Sequence, residues 1–191
     1  MPNLIKDIEK AMVKKGITKE LIEEFNFPEK NGNEIKDTLA VIDQMDKLLS
    51  KDQCLSIMEE QGCCTTGKTA KAHNDFGKKY SNKSIVEKIN LLKELKSVHN
   101  PPCKLNEDGT LSVFWGMDDN GKYRCVCGFM KKLDEPQNVS KTFCGCCGGH
   151  ARKNLQRSLG VKLNLKKIVS SAISSKGKKQ CEFLYLVNDQ K

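Results

Sequence analysis

Residues 110–129 read TLSVFWGMDDNGKYRCVCGF, and this stretch decides the fold class. Val, Phe, Trp and Tyr at close intervals favour extended backbone. Two such runs, 110–115 and 122–129, flank Asp118-Asp119-Asn120-Gly121, whose Asn-Gly step suits a tight turn. The pattern predicts a hairpin. Downstream, a helix is predicted over about 150–158, ending at Gly160. Val161, Leu163 and Leu165, with Ile168 beyond, predict a strand by their alternation. A last strand, 181–187, follows the lysine-rich turn around Gly177. The order β-β-α-β-β predicts an antiparallel sheet covered by helices, an α+β architecture.

The residues before this stretch predict helices. Ile35, Leu39, Ile42, Met45 and Leu49 recur at steps of three and four. Ser50 followed three residues later by Gln53 is a capping box, and Gly62 stands where a helix C-terminal cap belongs. Ser84 precedes a further stripe at Ile85, Ile89, Leu92 and Leu95, which Pro101 and Pro102 terminate. The chain thus divides into a helical region over 1–100 and an α+β cysteine-rich domain over 101–191, or packs as one compact unit.

A chain of 191 residues buries about two-thirds of its unfolded surface and needs no disulfide to fold. The first ten residues carry charges every few positions and no apolar run, which argues against a secretory signal. Apolar runs fall far short of the roughly 20 residues that span a bilayer. The expectation is a cytoplasmic protein with reduced thiols and no membrane partner. Its ten cysteines then call for a purpose other than disulfides.

Residues 1–62 carry 9 basic and 13 acidic side chains, net −4, and residues 63–191 carry 24 and 11, net +13. A basic half attracts anions. Yet 30 of the 33 basic residues are lysine, and aromatic residues make up only 6% of the chain. Base readout favours arginine and stacking needs aromatic platforms, so the composition argues against nucleic acid.

Cys125-Val126-Cys127 ends the second predicted strand, where residues i and i+2 share a face. Cys144-Gly145-Cys146-Cys147 follows before a helix. Two paired sets of thiols on flanking elements match a tetrahedral four-cysteine zinc site, and thiolates also suit an iron–sulfur cluster. On a helix Cys144 would share a face with Cys147 and not with Cys146. The glycines of 144–149 argue for a loop there, which favours the Cys144/Cys146 pair. The expected ligands are therefore Cys125, Cys127, Cys144 and Cys146, with Cys147, Cys63 and Cys64 as substitutes. Cys103 and Cys54 rank lower, and His150 is a further candidate. Cys54 and Cys181 stand isolated and read as small buried hydrophobes. His73 and His99 lack ligand partners at useful spacing and read as surface residues.

Two other chemistries compete. Cys144 and Cys147 form the Cys-x-x-Cys spacing of thiol oxidoreductases, although the surroundings are antiparallel rather than βαβ. The segment Gly62-Cys63-Cys64-Thr65-Thr66-Gly67-Lys68-Thr69 fits the phosphate-loop pattern in every position. That motif requires a buried strand before the loop, and residues 54–61 read instead as an amphipathic helix.

Phe143-Cys144-Gly145-Cys146 leading into a glycine-started helix, Leu159-Gly160-Val161 entering a strand, and Gly177 followed by Cys181-Glu182-Phe183 resemble the vinyl-4-reductase type of small-molecule-binding domain and its amino-thiazoline carboxylate hydrolase-like relatives. Ile57-Met58-Glu59-Glu60 with Gly62-Cys63 resembles a cysteine-rich bacterial group. The resemblance implies an α+β ligand-binding fold holding a metal or small molecule near the cysteines. It carries over no catalytic residue. The function expected is a binding protein with a structural or sensory metal, zinc before iron–sulfur, and a small-molecule ligand as a further partner. An enzyme, either a thiol oxidoreductase or a hydrolase, and a nucleotide-binding protein are the alternatives.

Overall fold

Capping boxes at Ser50 and Ser84 start two of the helices, each with its side-chain oxygen accepting the amide three residues on. The computed structural model describes residues 4–28, 34–62, 65–95, 100–119, 121–130 and 139–188. Helices α1 (Leu4–Lys14), α2 (Lys19–Glu23), α3 (Glu34–Leu48), α4 (Lys51–Met58), α5 (Gly67–Lys79) and α6 (Ile85–Leu92) precede the strands. Then come β1 (Cys103–Leu105), β2 (Leu111–Trp115), β3 (Met117–Asp119) and β4 (Lys122–Arg124). A 3₁₀ turn over Lys141–Cys144 leads straight into α7 (Gly145–Leu159), followed by β5 (Lys162–Ser170) and β6 (Cys181–Asn188). The architecture is α+β, helices first and then an antiparallel sheet of order β1-β2-β6-β5. Among the described residues no helix is long and apolar enough to cross a membrane.

Two expected features are corrected. The strand 122–129 ends at Arg124 and does not pair with β2. Gly116, at φ +136°, turns the chain out of β2, so that β3 and β4 form their own small hairpin. β2 pairs instead with β1 on one side and β6 on the other. The second correction is α7. It begins at Gly145, not near 150, and the glycines that suggested a loop are helical.

Those glycines are there for contact. A Cβ on Gly149 would lie 1.9 Å from the carbonyl oxygen of Glu59, and one on Gly145 would lie 2.6 Å from Met58 Cβ. Gly62 in turn lies against the backbone of Gly149 and His150. The C-terminus of α4 is thus laid against the first turns of α7 with no side chain from Gly145 or Gly149 between them. On the opposite side Gly148 faces Leu165 and Phe183, and Tyr185 donates its hydroxyl to the Gly148 carbonyl at 2.7 Å. At the other end Gly160, at φ +72°, closes α7 in left-handed conformation.

The apolar side chains fill two cores that meet along this helix. The first gathers α1, α3 and α4 with Phe129, Met130, Val139, Phe143 and Cys146. The second sets Leu111, Val113, Phe183 and Tyr185 of the sheet against Ala151, Leu155 and Leu159 of α7, with Phe76 of α5 and Ile89 and Leu92 of α6 beyond. Helices α5 and α6 therefore share a core with the sheet, although they lie upstream of Pro101.

Ion pairs reinforce the junction. Glu60 takes Lys14 at 2.9 Å and Lys15 at 3.0 Å from α1. Glu59 takes Arg152 of α7 at 3.0 Å. Burial pushes the Glu59 carboxyl up, against the pull of Arg152 and the Leu165 amide. Burial also opposes ionisation of Glu60, but the hydrogen bonds of Lys14 and Lys15 prevail and hold it at about 2.

Candidate metal centre

Cys125, Cys127, Cys144, Cys147 and Cys181 line one cavity of about 10 Å³, closed by Trp115, Val126, Phe143 and Phe183. That volume suits about one water-sized atom and leaves no room for an organic ligand. The cavity lies on the seam between the cores. Cys125 and Cys127 pack against the first, whereas Cys144, Cys147 and Cys181 belong to the second.

Each sulfur is positioned by a different device. Because α7 starts at Gly145 behind a 3₁₀ turn, Cys144 and Cys147 fall one helical turn apart and face the same space. Cys146 is carried round to the first core, where it is buried and does not line the cavity. Of the two partners considered for Cys144, it is Cys147 and not Cys146 that lines the cavity with it, because residues 145–149 are helical. Cys125 and Cys127 do share the cavity, but they follow β4 in irregular backbone rather than lying on one face of a strand. Cys181 opens β6 opposite Trp115, and its sulfur accepts the Ala172 amide at 3.3 Å. Cys144 Sγ lies 3.1 Å from the Ser171 hydroxyl.

The titration of these thiols reflects their packing. A hydrogen bond with Cys147 holds Cys127 well below the usual thiol range, assisted by the amides of Met130 and Phe129 and opposed by burial. Cys147 is pushed far up as the partner in that bond. Burial takes Cys144 to about 12 despite its bond to Ser171, and burial likewise raises Cys181. Of these four thiols Cys127 is the one disposed to ionise. A cation in the cavity would release the remaining protons, since metal binds the thiolate. The amino-terminal end of α7, at Cys144 and Cys147, supplies a positive dipole end that favours such charge.

The sulfurs are not gathered into a ready coordination shell. Among the described residues no three His, Cys, Asp or Glu side chains are grouped as a metal requires. None of the eight described cysteines is in a disulfide.

The remaining candidates separate cleanly. Cys54 is buried in the first core, points at the Met45 carbonyl at 3.4 Å and is raised to about 11 by burial. Cys103 lies on edge strand β1 and is likewise raised to about 11. Neither lines the cavity. Cys63, Cys64 and His99 lie outside the described residues. His150 is buried with its ring edge-on to Trp115, centroids 5.1 Å apart, behind the cavity wall rather than in it. His73, expected at the surface, is fully buried, with Nδ1 2.7 Å from Ser158 Oγ between α5 and α7.

Cys181 is the residue that sequence reasoning missed. It stands 34 positions after Cys147 with no cysteine neighbour, and only the pairing of β6 with β2 brings it to Trp115 and the cavity. Before the phosphate-loop-like segment the chain is helix α4, and α5 begins within the segment at Gly67. Comparison with protein-family models, with curated proteins and with solved structures found no match to this chain.

Proposed function

We propose that this is a metal-binding protein whose centre holds one zinc ion through Cys125, Cys127, Cys144 and Cys147. The observation that carries the reading is their convergence on a cavity the size of one atom, from two segments belonging to different cores. Each cysteine sulfur swings on a single side-chain torsion, so closing a shell of four about an ion asks little of the backbone. The small volume favours a single ion over an iron–sulfur cluster. Bound there, zinc would fasten the 125–127 segment to the start of α7 through ligands from separate elements.

The test is elemental analysis of untagged protein together with thiol titration under native conditions. About one zinc per chain, with four of the ten thiols protected until a chelator is added, is the expected result. Protein that contains neither zinc nor iron after purification without chelators, takes up neither when supplied, and exposes its thiols equally with and without metal refutes it. Iron with visible charge-transfer absorption would instead indicate a cluster.

A further inference from the structure

Five thiols line a cavity that would serve four coordination positions. Ser171 and Ala172, adjacent residues, hold two of them. The Ser171 hydroxyl lies 3.1 Å from Cys144 Sγ, and the Ala172 amide donates to Cys181 Sγ at 3.3 Å. Cys181 is thereby fixed beside Cys144 on the sheet side of the cavity, while Cys125 approaches from the 125–127 segment. Cys127, Cys144 and Cys147 form the common set, with Cys127 and Cys147 already hydrogen-bonded to each other.

Resting on the zinc reading above, we propose that Cys181 is a fifth ligating thiol that shares the fourth coordination position with Cys125. A closed structural site has no spare donor. Here a fifth thiol lines the same cavity, so the ion can change partners without passing through a three-coordinate state. The centre is accordingly one that exchanges or hands on its metal. Binding replaces a sulfur–hydrogen bond by a sulfur–metal bond and releases the proton to solvent. Exchange between Cys125 and Cys181 moves one proton in the opposite sense and needs no oxidant.

Cobalt(II) in place of zinc reports the number of thiolates through its charge-transfer intensity. We expect full four-thiolate intensity in wild type, in Cys125→Ser and in Cys181→Ser, and a loss of about a quarter, one thiolate of four, in the double variant. Because Cys181 is buried in β6, Cys181→Ser could perturb folding, so the wild-type chain provides a second measurement. In isotope-labelled protein the Cβ resonances of both Cys125 and Cys181 should shift on zinc addition. Loss of the quarter in either single variant overturns the sharing, as does a Cys181 resonance that zinc leaves unmoved. Wild-type protein that takes up neither cobalt nor zinc removes the metal reading itself, and this inference with it.

Discussion

Replacing Gly149 by alanine sets two opposed effects against each other. In the interior of an isolated helix, alanine is better than glycine by about 1 kcal/mol. In α7 the new Cβ would stand 1.9 Å from the Glu59 oxygen, 2.6 Å from its carbonyl carbon and 2.8 Å from its Cα. All three are backbone atoms, so no side chain can rotate away, and α4 and α7 must separate. Overpacking a core costs about 1–3 kcal/mol, and a rigid backbone obstacle belongs at or above the top of that range. The separation also strains the buried Glu59–Arg152 pair at 3.0 Å. The net expectation is a loss of about 2 kcal/mol. With a urea slope near 2 kcal/mol per molar, the unfolding midpoint falls by about 1 M. The assay is urea unfolding followed by circular dichroism, with reductant and chelator present so that metal plays no part. Gly148→Ala is the internal comparison, because its Cβ would meet Leu165 Cδ2 at 2.8 Å, the far end of a movable side chain. Its cost should be clearly the smaller. A Gly149→Ala protein as stable as wild type, or more so, would refute the close-packing account of these glycines.

Glu60→Gln should cost up to about 1 kcal/mol at neutral pH, a value kept low because the pair is partly solvated. The folded carboxyl sits at about 2, below its unfolded value of 4.5, so its contribution is present above the unfolded value. It is lost as pH falls from about 5 towards 2, where the variant and wild type should converge in urea midpoint. Tyr185→Phe removes the 2.7 Å bond to the Gly148 carbonyl and should lower stability by about 1 kcal/mol, measured the same way. Cys54→Ala should lose about 1 kcal/mol of packing while leaving zinc content unchanged, since Cys54 does not line the cavity. Zinc loss in that variant would show that the two sites are linked. Lys88→Met, which removes the 2.9 Å bond from Nζ to the last carbonyl of α7, should destabilise by about 1 kcal/mol and spare zinc binding.

Local signals in the sequence were read correctly where the physics is local. The serine caps of α4 and α6, the stripe from Ile35 to Leu49 and the alternation that starts β5 depend on near neighbours, and each matches its element to within one residue. The beginning of α7 was not legible in that way. Gly145, Gly148 and Gly149 lower helix propensity, and only contact with α4 and the sheet outweighs that. The same helix start brings Cys147 rather than Cys146 to the cavity beside Cys144. Cys125, Cys127 and Cys144 emerged from clustering in the chain, whereas Cys181 required the β2–β6 register, a long-range fact that no window of sequence holds. His73 was misplaced for a similar reason, since its partner Ser158 lies 85 residues away.

The opening of α7 leaves hardly a position idle. Cys144 and Cys147 face the cavity, Gly145 and Gly149 admit α4, Cys146 enters the first core, Gly148 meets the sheet and His150 meets Trp115. Seven successive residues answer to different neighbours. One inserted residue would rotate all that precedes it by about 100° relative to the rest of the helix. Thiols would then stand where the backbone of α4 must pass, and glycines would face the cavity. Such a segment can scarcely drift one letter at a time. In any set of descendants of this chain, residues 144–150 should be inherited as a block while the lysine-rich surface around them changes freely.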